Sequence, residues 1–134
     1  MSHYYKIHFS LAEARKALPE LRRRLLRINN LIAEIRADES STGPVQTIIL
    51  RGNGLGPIIS GTHRRKQEAQ QLIRDIATEG IQIKDLESGL VDFPHLTGEP
   101  AREVFLCWKL GEDTIEYWHE IEDGFAGRKP VDKN

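Results

Sequence analysis

EVFLCWKLGEDTIEYWHEIEDGFAGR, from Glu103 to Arg128, holds five of the nine aromatic residues of the chain and its single cysteine, Cys107. How this stretch folds decides the class of the protein. Glu103 to Leu110 is rich in β-branched and aromatic residues and reads as a strand. The segment 112–123 has two readings. As a strand, Ile115, Tyr117, His119 and Ile121 share one face, and Gly111-Glu112-Asp113 closes a hairpin with the preceding strand. As a helix, Asp113 is the N-cap, Glu116 completes a capping box, and Gly124 is the stop. The β-branched and aromatic content and the short hairpin distance favour the strand. Gly124-Phe125-Ala126-Gly127-Arg128 is then a turn that brings Arg128 back toward the sheet, and Pro130 ends regular structure.

Working back from this stretch, the period-2 pattern extends to Gly80. Ile81, Ile83 and Leu86 alternate with polar residues, and Leu90-Val91-Asp92-Phe93 is a short apolar run between Gly89 and Pro94. Turn residues separate these runs, so residues 81–130 form a small antiparallel β-meander. Before Gly80 the period is helical. Ser10 and Glu13 form a capping box, and from there Leu11, Ala14, Leu18, Leu21, Leu25, Ile28, Ile32 and Ile35 recur at spacings of three and four. This is a heptad seam. A helix from Ser10 to Ala37 spans ~42 Å, longer than a compact domain of this size needs, so it protrudes or finds a partner helix. Pro19 is expected to kink it or split it in two. Residues 38–62 gather five of the eleven glycines and read as the main connector, with Val45–Leu50 either a short strand or further helix. A second helix from about His63 to Thr78 carries Ala69, Leu72, Ile73, Ile76 and Ala77 on one face and stops at Gly80. The two helices make an antiparallel hairpin over about 10–80. The expected fold is α+β, one domain over 1–134.

Composition sets the wider bounds. With 39% hydrophobic and 29% charged residues, the 134-residue chain reads as a globular domain rather than a disordered one. A lone cysteine gives no intrachain disulfide, and no window approaches the ~20 apolar residues of a membrane span, so a cytoplasmic address is expected. The net charge of -1 hides a polarity: residues 1–37 hold eight Lys/Arg against three Asp/Glu, whereas residues 81–128 hold four against eleven. Such polarity favours packing of the basic arm on acidic surface, its own or that of another copy.

Three blocks resemble a known family. They are Phe9-Ser10-Leu11 with Glu13-Ala14 and Leu18-Pro19-Glu20-Leu21; Lys84 to Pro94, KDLESGLVDFP; and Glu103 to Trp108 continuing through Tyr117-Trp118-His119 to Gly124-Phe125-Ala126-Gly127-Arg128-Lys129-Pro130. Together they resemble the uncharacterised prokaryotic family domain of unknown function 2203. The resemblance implies a small cytoplasmic protein and supplies no catalytic residue.

Several constellations bear on function. Glu116-Tyr117-Trp118-His119 has Glu-x-x-His spacing, a metal-ligand pattern on a helix, and Asp92, His95, Glu103, Glu112 and Glu120 are further carboxylate or imidazole donors; against this stands a solvated acidic face. Cys107 with His119 could form a thiolate–imidazole pair, but its apolar neighbours Phe105, Leu106 and Trp108 argue for a buried, inert thiol. Gly52, Asn53 and Gly54, ahead of the second helix, are candidate anion-binding residues with Arg128, although a flexible connector explains the glycines equally. Arg22-Arg23-Arg24 with Arg27 and His63-Arg64-Arg65-Lys66 could meet nucleic acid, but no aromatic residues are interleaved with them. The first reading is therefore a non-enzymatic scaffold that self-associates as a homo-oligomer, or with another protein, through its coiled-coil hairpin. The second is a metal-binding domain or metal-dependent enzyme with His119, Glu116 and Asp92 as ligands of a divalent ion. The third is nucleic-acid binding through the arginine face. No cofactor other than that metal is expected.

Overall fold

A computed structural model describes residues 3–52 and 61–131 of the chain, with 40–52 described as backbone alone. Two helices, α1 (Leu11–Gly52) and α2 (Gly61–Thr78), precede five strands: β1 (Gln82–Asp85), β2 (Leu90–Thr97), β3 (Arg102–Lys109), β4 (Tyr117–Glu120) and β5 (Lys129–Pro130). The strands pair antiparallel in chain order, so the fold is α+β with an up-and-down meander.

Local chemistry sets both ends of the helical part. Glu13 N–H donates to Ser10 Oγ at 3.0 Å, and Ser10 N–H donates to Glu13 Oε1 at 2.8 Å, completing the capping box. At the far end of α2, Gly80 N–H donates to Ala77 O and Ile81 N–H to Ile76 O. These are the two bonds of a Schellman motif, with Ile76 and Ile81 both buried beside it. Gly80 has φ of 99°, and a Cβ there would lie 2.7 Å from Ile7. Glycine is therefore required twice over.

Two expectations about the helices are corrected. Helix α1 runs unbroken through Pro19. It also continues to Gly52, so residues 38–52 of the expected connector are helical, and Val45–Leu50 is helix rather than strand. A helix already held on other elements incurs no new nucleation cost, and each further residue adds a backbone bond, which outweighs breakers such as Gly43 and Pro44. The rest of the glycine-rich stretch, 53–60, lies outside the described residues.

The seam finds its partners within the chain. Ala14, Leu18, Leu21, Leu25 and Ile28 are buried in one cluster with Ile76, Ile81, Val91, Phe93, Leu106, Trp108 and Ile115. Alternation along β2 and β3 explains the selection, because Val91, Phe93, Leu106 and Trp108 all point to the face that the hairpin covers. Exposure of the seam was the ground for expecting a second copy. That ground is removed for the described residues.

The segment 112–123 is part strand. Tyr117–Glu120 pairs with Val104–Cys107, while residues 112–116 form the connection. Ile115 is buried from that connection rather than from a strand. Pro130 ends regular structure among the described residues as expected, but as the last residue of a strand: Lys129–Pro130 pairs with Tyr117–Trp118 at the sheet edge, where a residue without N–H is tolerated.

Candidate metal centre

The other face of the sheet is assembled by register. Asp92 on β2 lies opposite Cys107 on β3, Cys107 lies opposite Tyr117 on β4, and His119 stands two residues further along β4, opposite Phe105. With a side-chain period of two, Asp92, Cys107 and His119 all project from one face. All three are buried, and a donor atom from each lies within 4.8 Å of the other two.

The hydrogen bonds fix how the imidazole is held. His119 Nδ1 lies 2.7 Å from Glu120 O, and a carbonyl oxygen can only accept, so Nδ1 carries the hydrogen. Nε2 is then the metal-facing or proton-accepting atom, and it lies 3.1 Å from Asp92 Oδ1. Burial pushes the Asp92 carboxyl above its ordinary range, opposed by His119, by a hydrogen bond from Cys107 and by the charge of Lys84. One hydrogen shared between Nε2 and the Asp92 carboxyl accounts for the close approach. Burial, reinforced by Asp92, pushes the Cys107 thiol up to about 12. It is therefore not a thiolate nucleophile by itself at neutral pH.

A pocket of about 210 Å³ opens in front of the cluster, between Leu90, Phe105, Ile121 and Phe125, with Asp92 and His119 in its lining. Cys107 does not line it. The cluster thus has a closed back and an open front.

The remaining sequence candidates are placed elsewhere. Glu116 is exposed and outside the cluster, its carbonyl accepting from Val131 N–H. Glu103 accepts from the Tyr4 and Tyr5 amides and contacts His8 Nε2 at 2.7 Å. Glu120 pairs with Arg102, and His95 Nδ1 donates to Phe9 O. Arg128 stacks over Tyr117 and Phe125 and donates both terminal nitrogens to Glu112, so an external anion would have to displace that carboxylate. Gly52 ends α1, whereas Asn53 and Gly54 lie outside the described residues. Cys107 as a third donor escaped the sequence reading. Its signal was the alternation Phe105–Cys107, which acquires meaning only when the pairing with Asp92 is known.

Most side chains of the basic clusters are paired within the chain. Arg24 is buried against Glu79, Arg27 pairs with Glu68, Arg65 with Glu34 and Asp38, and Lys66 with Glu39. Their acidic partners come from the helices and the α2–β1 turn. Arg22 alone of the first cluster reaches the β module, donating to Glu112 O and Asp113 O and lying over Trp108.

A helical hairpin on one face of an antiparallel meander, with an Asp–Cys–His cluster on the other, defines an α+β protein with a candidate metal-binding face. The chain belongs to the family described as Uncharacterized conserved protein (DUF2203), whose model matches residues 7–131. Comparison with curated proteins and with solved structures finds no match in either. Among the described residues, no helix is long and apolar enough to cross a membrane.

Proposed function

We propose that this protein binds a divalent transition-metal ion through Asp92 Oδ, Cys107 Sγ and His119 Nε2. The observation that carries the reading is the convergence of three unlike donors, from three adjacent strands, on one buried point. Tetrahedral zinc with bonds of 2.0–2.3 Å holds its donors roughly 3.3–3.8 Å apart, so adjustments on the order of 1 Å close the site. Imidazole held by Nδ1–H to a backbone carbonyl is oriented as a metal ligand usually is. One sulfur, one nitrogen and one oxygen donor suit zinc or cobalt better than magnesium or calcium. Three protein ligands also leave one position open, the arrangement of metal sites that meet a substrate rather than purely structural ones. A self-associating scaffold has less support, since the apolar seam is covered within one chain.

Cobalt(II) added to the full chain tests this. One equivalent should produce visible d–d bands and a near-ultraviolet thiolate charge-transfer band, and Cys107→Ala should remove the latter. Asp92→Asn should weaken binding at least tenfold, while Glu116→Gln should leave it unchanged. Absence of any cobalt band, with no change in melting temperature on adding zinc, would sink the proposal.

A further inference from the structure

We infer that the pocket in front of Asp92 and His119 binds a small monocarboxylate with an apolar body, its carboxylate held between the Lys84 ammonium and the open position of the metal. The inference rests on the metal reading above and goes beyond it by naming the class of ligand.

Lys84 is the cation of the pocket. It sits at a bulge of β1 between Ile83 and Asp85, and there it lines the same pocket as Asp92 and His119. Its stem crosses Phe105, with Nζ 4.7 Å from the ring centroid. Among the described residues it makes no ion pair, unlike the arginines of both helices, and its charge is felt at Asp92. A lysine that lines a pocket without a carboxylate partner is available to an anion from outside.

The pocket's other walls select the rest of the ligand. Leu90, Ile121 and Phe125 are apolar, and Phe125 is 43% exposed at the mouth, where an apolar ligand would cover it. Asp123, exposed and also part of the lining, disfavours a second negative charge, which favours a monoanion over a phosphate dianion. At about 210 Å³ the space is smaller than the ~300–1,000 Å³ of sites for drug-sized molecules, so the ligand is small. The closed back formed by Cys107 leaves the metal's open position facing this pocket.

A larger cavity of about 440 Å³, beside Trp118 on the opposite face, lacks these features: its Arg102 is paired with Glu120 and its His95 is tied to Phe9.

Benzoate is the probe, titrated into the cobalt-loaded full chain while the d–d bands are followed. The bands should shift saturably, benzyl alcohol should leave them unmoved, and inorganic phosphate should bind at least tenfold more weakly than benzoate. Lys84→Met, which keeps the stem over Phe105, should weaken benzoate at least tenfold without altering the cobalt spectrum recorded before benzoate is added. Lys84→Arg should restore most of the affinity. If benzoate leaves the bands unchanged in a chain that has bound cobalt, the ligand inference falls and the metal reading stands. Equal benzoate affinity in Lys84→Met, or phosphate binding as tight as benzoate, overturns the inference as well. If cobalt does not bind at all, both fall.

Discussion

Arg128 joins three parts of the β module through one guanidinium. Its terminal nitrogens donate to Glu112 at 2.7 and 2.8 Å and to Cys107 O at 3.3 Å, and its plane lies 4.2 Å from the Tyr117 ring centroid. Lysine has neither the fork nor the stacking plane, so Arg128→Lys should cost about 1–3 kcal/mol in urea denaturation at pH 7. The same pair gives a pH dependence. Burial pushes the Glu112 carboxyl up, but the Arg128 hydrogen bonds, the Lys109 amide and the arginine charge outweigh it and hold the group below its ordinary range. A carboxyl depressed in the folded state stabilises above its unfolded pKa, and that contribution is lost as pH falls through the folded value. The stability difference between wild type and Glu112→Gln should therefore be largest near neutral pH and shrink as pH drops below about 4.3. A difference that stays constant from pH 7 to pH 3 would refute the assignment. At this scale the sequence is a poor guide to the site. Asp92 and His119 could be put forward as donors, but no spacing rule links residues 27 positions apart. Cys107 could be set beside His119 as a thiolate–imidazole pair, but its place opposite Asp92 arrives only by strand pairing.

Elements whose limits rest on neighbouring residues were legible in full, whereas for those that depend on a distant partner the type could be read but not the limits. The Ser10–Glu13 box and the Gly80 stop each involve a few consecutive residues, so type, place and end could all be read. Gly80 offers a test of how firmly the helical part is joined to the sheet. A side chain there meets both a positive φ and the Ile7 side chain at 2.7 Å, so Gly80→Ala should destabilise by more than the ~1 kcal/mol of an ordinary left-handed glycine. Gly111 is the control: its φ is 108° with nothing within 4 Å of the added Cβ, so Gly111→Ala should show the backbone part alone. Equal losses in the two variants, measured by thermal melting, would mean that Ile7 yields freely. Strands β4 and β5 are the contrasting case, at four and two residues. Such lengths carry little periodicity, and β4 depends on the edge that β3 offers, as β5 depends on that of β4. The helical course of residues 38–52 was hidden for a related reason, since glycine and proline signal local preference whereas a growing helix is cooperative.

For the whole molecule, the heptad seam and the charge polarity both had two readings, one within the chain and one between chains. The seam from Ala14 to Ile28 is covered by α2 and by Val91, Phe93, Leu106 and Trp108. Its arginines meet acids on the two helices and the α2–β1 turn. Sequence periodicity could not choose between these readings, because a seam facing a sheet and a seam facing a second copy need the same apolar spacing. Substitution within the seam separates them. Leu25 is fully buried, so Leu25→Ala should cost about 2–5 kcal/mol and lower the melting temperature by roughly 6–20 °C. If the seam is core, that loss should be the same at 2 and 200 µM protein, on the order of a hundredfold range, because no association step is linked to folding. A seam that served mainly to hold copies together would behave oppositely. Wild type would then melt higher as concentration rises, and Leu25→Ala would change sedimentation mass while leaving the folded chain's circular dichroism intact. The covered cluster predicts the first pattern, with the variant losing helix and sheet signals in a single concentration-independent transition.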